Sequence, residues 1–239
     1  MRYAHDPAAY EAEEWSRPDE MALFQNLWSY TRRELDSRAG SCPLDLCCGS
    51  GMSLLGIVSH PQLRLAIGVD LCLPVLDFAR RRYAPFENVK FVCADAGHSN
   101  FRSDAFDIVI ASSAYHHIEP QRKSDFANAC RELLKPDGRL IVAENLLPAY
   151  ANEEAEYDRA VDLLYTAVVL STTVQYPNLP LSIRDMIDEN VRLSVRREYE
   201  YKVDRERLLQ NFSDSGFVLS DKVKVWPLES GSLPEGAGC

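Results

Sequence analysis

The chain contains no G-x-G-x-x-G element, no C-x-x-C pair and no apolar run long enough to cross a bilayer. Each absence excludes something. Without the glycine fingerprint, a nicotinamide dinucleotide is a poor candidate ligand. Seven cysteines, an odd number, fall mostly in or beside apparent strands (Cys47, Cys48, Cys93), so the expectation is reduced thiols acting as small core residues. No metal site is expected from them. The opening MRYAHDPAAYEAEEW is too polar for a signal peptide, and the expected location is the cytoplasm. Positive charge is also scarce. Lys and Arg number 26 against 36 Asp and Glu, a net charge of −10, which argues against a nucleic-acid partner held through its phosphates.

What is present reads as one α/β domain over 1–239. Residues 6 to 38 are helical in pattern. Pro18 and Asp19 mark the start of a second helix, in which Leu23, Leu27 and Tyr30 recur at helical spacing. From residue 43 the period changes. PLDLCC, LRLAIGVD, VKFVCAD, FDIVIASS and GRLIVAEN read as strands, with MSLLGIVSH, PVLDFARRRY and SDFANACRELLK as helices between them. That rhythm predicts βαβ units and a Rossmann-like, doubly wound, mostly parallel sheet. KPDG at 135–138 predicts a turn between the last of these helices and its strand. The expected layout is a helical cap over 1–40, a core over 41–147 and a helical lid insertion over 148–203 after the fifth strand. A final helix and strand (FVLSDKVKVW) follow over 204–228, then a disordered tail over 229–239.

A parallel α/β sheet binds ligands beyond the carboxyl ends of its strands. Three such ends carry an acid: Asp45 before the turn Cys47-Cys48-Gly49-Ser50-Gly51, Asp70 closing AIGVD, and Asp95 closing FVCAD. Three acids are a poor surround for a pyrophosphate and a good one for a ligand with positive charge. S-adenosylmethionine (SAM) has no phosphate but carries a sulfonium, an ammonium, a ribose diol and an adenine amine. In this reading Asp45 faces the ammonium, the glycine turn admits the methionine part, Asp70 accepts the ribose hydroxyls and Asp95 accepts from the adenine amine. The plain alternative for each acid is a strand-end turn former.

These residues carry a resemblance. LDLCCGSG, GVDLC, CADAG, FDIVIASSAYHHIEP and RELLKPDGRLIVAEN, in that order over residues 40–145, resemble the class I SAM-dependent methyltransferases, especially quinone-biosynthesis and natural-product members. The resemblance implies SAM as cofactor, S-adenosylhomocysteine as product and a sheet order 3-2-1-4-5-7-6 with the last strand antiparallel. The implied cofactor contacts are Asp45, Cys47, Gly49, Gly51, Asp70, Leu71, Asp95, Ala96 and Ser112. Cys47 replaces the commoner first glycine of the family loop.

His116 and His117 follow the fourth strand at the mouth of the expected site, where an imidazole can take an acceptor's proton. The plain reading is a cap or a packing ring. Tyr115 reads as wall. Glu144, closing the fifth strand, reads first as a solvated or capping carboxylate and second as a group orienting an amine or a metal. Tyr3, Tyr10, Trp15, Tyr150, Tyr157, Tyr165 and Tyr176 lie outside the core; most read as glue for the cap and lid, with Tyr10 and Tyr150 kept as substrate-pocket candidates. The acidic run near Glu153 reads as a solvated helix face. The function expected is methyl transfer to O or N, or C, of a small metabolite. A SAM-binding protein that transfers no methyl and a protein or RNA methyltransferase are the alternatives. A homodimer is compatible with the aromatic N-terminus.

Overall fold

The computed structural model describes residues 6–226 except Ser99 and Asn152. Two helices lead, α1 (Pro7–Ser16) and α2 (Pro18–Asp36). The Asp6 side chain caps α1 by accepting the Ala9 N–H at 2.9 Å, and Pro18 supplies the preset first residue of α2. The alternating part follows: β1 (Pro43–Leu46), α3 (Met52–Leu55), β2 (Ala66–Asp70), α4 (Leu73–Arg82), β3 (Val89–Cys93), β4 (Phe106–Ser112), α5 (Lys123–Leu133) and β5 (Leu134–Ala143). Three more helices complete the described chain: α6 (Glu154–Gln175), α7 (Leu181–Arg196) and α8 (Arg205–Asp214).

The strands form one sheet in the order β3-β2-β1-β4-β5, every pair parallel. β1 and β4 lie at its centre and are buried along their whole length, as continuous apolar runs in parallel sheets require. Alternation divides their side chains between two cores. Leu44, Leu46, Val109 and Ala111 pack with Phe126, Leu133, Leu208 and Phe212, under α5 and α8. Ile108 and Ile110 pack with Leu23, Leu27, Leu35 and Leu54 of α2 and α3. The insertion after β5 has its own cluster, where Tyr157, Val161 and Tyr165 of α6 meet Ile187 of α7.

Two expectations change. KPDG does not precede β5 but interrupts it. Phe106 pairs with Leu134 and Ile108 with Arg139, so residues 135–138 are looped out of the ladder. FVLSDKVKVW forms no strand; among the described residues the sheet has five strands and no antiparallel one, in place of the implied seven. Val218 is 90% exposed, and Asp221 is tied by side chains to Tyr30 and Arg33 of α2 instead of joining a ladder. Tyr3 and the expected tail lie outside the described residues. No described helix is long and apolar enough to cross a membrane.

Candidate active site

The loop from β1 to α3 is built on left-handed backbone. Cys47, Gly49 and Gly51 have φ of 56°, 50° and 82°. At Gly51 a Cβ would stand 2.9 Å from Tyr83 Cε2, so both conformation and space call for glycine; at Gly49 the space is open. Asp70 holds this loop from the next strand. Its Oδ2 accepts the Gly49 N–H at 2.9 Å and its Oδ1 accepts the Cys72 N–H at 2.8 Å. Burial, with Asp70 and Asp45 nearby, pushes the Cys47 and Cys48 thiols up, so they stay protonated.

Asp45 lies between Leu44 and Leu46 and so faces the opposite side of the sheet, toward α3. It is 1% exposed, and neither carboxylate oxygen has a hydrogen-bond partner. Burial raises its carboxyl well above the usual range; the Ser53 hydroxyl opposes this without closing a hydrogen bond, and Asp70 adds to it. An orphaned buried acid beneath a glycine turn is a request for donors or positive charge. Leu71 beyond Asp70 is exposed, Ala96 beyond Asp95 is buried, and the buried Ser112 ends β4 with its hydroxyl unpartnered. Asp95 is already engaged. It accepts from Arg122 Nη2 at 2.6 Å and from the Gly97 N–H at 2.9 Å; burial raises its carboxyl, but these contacts outweigh burial and the net shift is downward.

Past β4 the chain makes a short 3-10 turn, Tyr115–His117. Tyr115 is wall, fully buried against Phe126 and Phe212. His116 is buried, with Nδ1 2.5 Å from Glu144 Oε1. Glu144 also accepts the N–H groups of His116 and Asn145, so it is not the solvated carboxylate expected. Burial pushes Glu144 up, but His116, Lys202 and its hydrogen bonds bring it down to about 2. Burial holds the His116 ring down at about 4 despite Glu144. The backbone N–H groups of His116 and Asn145 support the ionised form of Glu144 whichever state the ring takes. A neutral ring giving its Nδ1 proton to Glu144 satisfies both groups, and leaves the Nε2 lone pair uncommitted.

A polar cavity adjoins this ring, lined by Tyr10, Glu14, Arg17, Glu20, His116 and Glu200 among others, with free space of about 30 Å³, room for one or two waters. Of the two substrate-pocket candidates, Tyr10 lines this cavity, whereas Tyr150 lies in a separate outer groove with Arg207 stacked on its ring at 4.0 Å and Asp204 beside it. His117 lines the cavity half-exposed, Nδ1 2.8 Å from the Tyr199 carbonyl. Glu200 stands 3.7 Å from His116 Nε2 and 3.3 Å from Lys202 Nζ. Donor atoms of His116, His117 and Glu200 lie within 4.8 Å of one another, close enough for a metal ion, but the Lys202 ammonium already supplies positive charge there. Burial opposes that charge and Tyr165, Glu200 and Glu144 outweigh it; Glu200, raised by burial, is brought down to about 2 chiefly by Lys202.

Opposite stands an unforeseen cluster from α1 and α2. Arg17 is surrounded by Glu13 (3.0 Å), Glu14 (2.7 Å), Asp19 (3.6 Å) and Glu20 (3.1 Å), all buried. Glu20 accepts from Ser113 at 3.2 Å and from the Asn145 amide, which binds the cluster to the ends of β4 and β5. Arg82 of α4 grips Glu11 with both nitrogens and reaches the Ser50 carbonyl, tying α1 to the ligand loop. Burial raises Glu13, Glu14 (to about 7) and Glu20, because one guanidinium does not neutralise four carboxylates. The signal in the sequence was acid density in EAEEWSRPDE, uninterpretable without its partners.

Residues 44–138 match the family model described as a methyltransferase domain. Demethylmenaquinone methyltransferase from Clavibacter sepedonicus is 28% identical over 167 residues, covering 70% of this chain and 64% of that protein. The chain thus spans just under two thirds of that curated relative. Among solved structures, the YcgJ protein from Bacillus subtilis aligns with a TM-score of 0.55 at 20% identity over 80% of this chain and 68% of that one. The cyclase SpnF aligns with a TM-score of 0.56 at 16% identity over 82% and 57%. With the β3-β2-β1-β4-β5 sheet and the Asp45–Gly51 loop, these give the chain a methyltransferase domain over 44–138 and a fold similar to that of the class I SAM-dependent methyltransferases. Within that class it resembles the quinone-biosynthesis enzymes.

Proposed function

We propose that the protein transfers the methyl group of SAM to a heteroatom of a small metabolite. The observation that carries this reading is His116, pinned by Glu144 at the carboxyl edge of the sheet, on the wall of a small polar cavity, with Nε2 3.7 Å from Glu200 on the same wall. SAM supplies a methyl group made electrophilic by the sulfonium. The residues present fit it: Asp45 is an orphaned acid under the loop, Gly49 and Gly51 keep that loop free of side chains, and Asp70 and Asp95 carry carboxylates at the next two strand ends. Asp70 would hold the ribose while bracing the loop, and Asp95 would trade part of its Arg122 contact for the adenine amine. Cys47, Leu71, Ala96 and Ser112 would complete the walls.

The chain's own residues then have three tasks. Glu144 fixes the His116 tautomer, His116 Nε2 takes the acceptor's proton, and the helices α1, α2, α6 and α7 exclude water from the transfer. His117 flanks the acceptor. Enclosure and the charge of −10 favour a small acceptor over a polymer.

SAM labelled in its methyl group, mixed with the protein and a size-fractionated cell extract, tests this. Label in the small-molecule fraction is expected. Label in protein or RNA would overturn the substrate class. A second reading, SAM bound without methyl transfer, is favoured by the fold shared with a cyclase; it requires that SAM binds and S-adenosylhomocysteine does not accumulate.

A further inference from the structure

The walls of the cavity beside His116 carry more acidic groups than the chain's own cations offset, so burial leaves Glu13, Glu14 and Glu20 holding their protons more tightly than free carboxyls. Glu14, Glu20 and Glu200 line it, with Glu13, Asp19 and Glu144 directly behind, six buried carboxylates in all. Against them stand three buried cations, Arg17, Lys202 and, beyond Glu144, Lys123. Hydrogen bonding is short in the same sense. Glu14 has a side chain only 6% exposed; its Oε1 takes Arg17 and its Oε2 has no partner. Across the cavity Glu200 is equally buried and its Oε2 makes no hydrogen bond, although Lys202 stands near. Behind Glu14, Glu13 Oε2 and Asp19 Oδ1 likewise have no hydrogen-bond partner, while Glu13 Oε1 faces Arg17 at 3.0 Å. Under-compensated acids and unpartnered acceptors, on opposite walls of one cavity, are both relieved by the same kind of group: one that brings N–H donors and a positive charge, and so lets the raised carboxyls ionise.

We propose that the methyl acceptor is an amine that enters as its ammonium ion and is held by Glu14, Glu20 and Glu200. The proposal rests on the methyl-transfer reading and names its substrate class. An ammonium has no lone pair to attack with, so it must first lose a proton, and His116 Nε2 lies on the cavity wall to accept it. The freed nitrogen pair forms the N–C bond, the S–C bond breaks with its electrons staying on sulfur, and the methylated amine leaves as a cation. The proton on His116 passes to water when the cavity opens. The present free space admits no amine of metabolite size, so entry displaces α1, whose Glu14, with Arg17 just beyond its C-terminus, forms one wall.

Benzylamine and benzyl alcohol, nearly equal in shape and different in charge, serve as probes in calorimetry on the full chain with S-adenosylhomocysteine present. The amine is expected to bind at least about tenfold tighter. Glu14→Gln and Glu20→Gln are each expected to lose that preference while their S-adenosylhomocysteine affinity stays within about twofold. Equal, absent or reversed preference in the unmodified protein overturns the proposal without depending on a variant that must fold. So does a preference that survives both substitutions. Failure of S-adenosylhomocysteine itself to bind would instead bring down the methyl-transfer reading beneath it.

Discussion

Replacing Asp45 by asparagine removes a carboxyl group that is 1% exposed and whose two oxygens have no hydrogen-bond donor. Burial raises its pKa, so the folded protein keeps a proton there that the unfolded chain gives up above the ordinary carboxylate range. The folded state then binds one more proton than the unfolded state, and stability falls as pH rises, by about 1.4 kcal/mol per pH unit. Between about pH 5 and about pH 6.5 this amounts to about 2 kcal/mol, or about 4–8 °C in melting temperature for a domain of this size. Glu13, Glu14 and Glu20 titrate in the same direction, but they are common to both proteins and cancel in the difference. Urea denaturation of the parent and of Asp45→Asn at several pH values measures it. The stability advantage of the variant should widen by about 2 kcal/mol across that window. An advantage constant to about 0.5 kcal/mol would mean that Asp45 is ionised and partnered in the fold, which refutes the reasoning. On the proposed function, the same variant binds SAM more weakly than the parent.

Asp70→Ala strands the Gly49 and Cys72 N–H groups and is expected to cost about 2–5 kcal/mol of stability. It should also weaken SAM binding far more than Glu153→Ala, a change at an exposed position; equal affinities in calorimetry would count against Asp70 as the ribose acid. His116→Ala is expected to lower kcat by about 10²–10⁴, and Glu144→Gln by about 10–100. The double variant should be no slower than His116→Ala alone in single-turnover assays, since Glu144 acts through the ring; additive losses would show an independent role. Gly51→Ala meets both a left-handed backbone and Tyr83, whereas Gly49→Ala meets only the backbone. The first should lose more than the second in thermal melts, by about 1–3 kcal/mol.

Strand and helix order was legible because its cause is local. Short continuous apolar runs such as FDIVIAS and turn residues at their ends act within a few residues of themselves, and all five strands lie on such runs. Asp45, Gly49, Gly51 and Asp70 were legible for the same reason, since a strand end followed by a glycine turn defines where side chains and backbone can go. FVLSDKVKVW shows the limit: its alternation is adequate for a strand, but a strand exists only when an edge pairs with it, and Asp221 is held by α2 instead. Tyr150 looked like its neighbours in composition, and only packing turned it outward onto Arg207. Glu144, read first as a solvated or capping carboxylate, became the partner of His116, 28 residues earlier. The cluster of Glu14, Arg17 and Glu20 and the pair Glu200–Lys202 come from opposite ends of the chain to one cavity. What the sequence by itself determined was the scaffold and the ligand loop, because their energetics are written in neighbouring residues. Tertiary structure alone decided the charge of the cavity, because burying a carboxylate has a consequence only once the groups that share its burial are known.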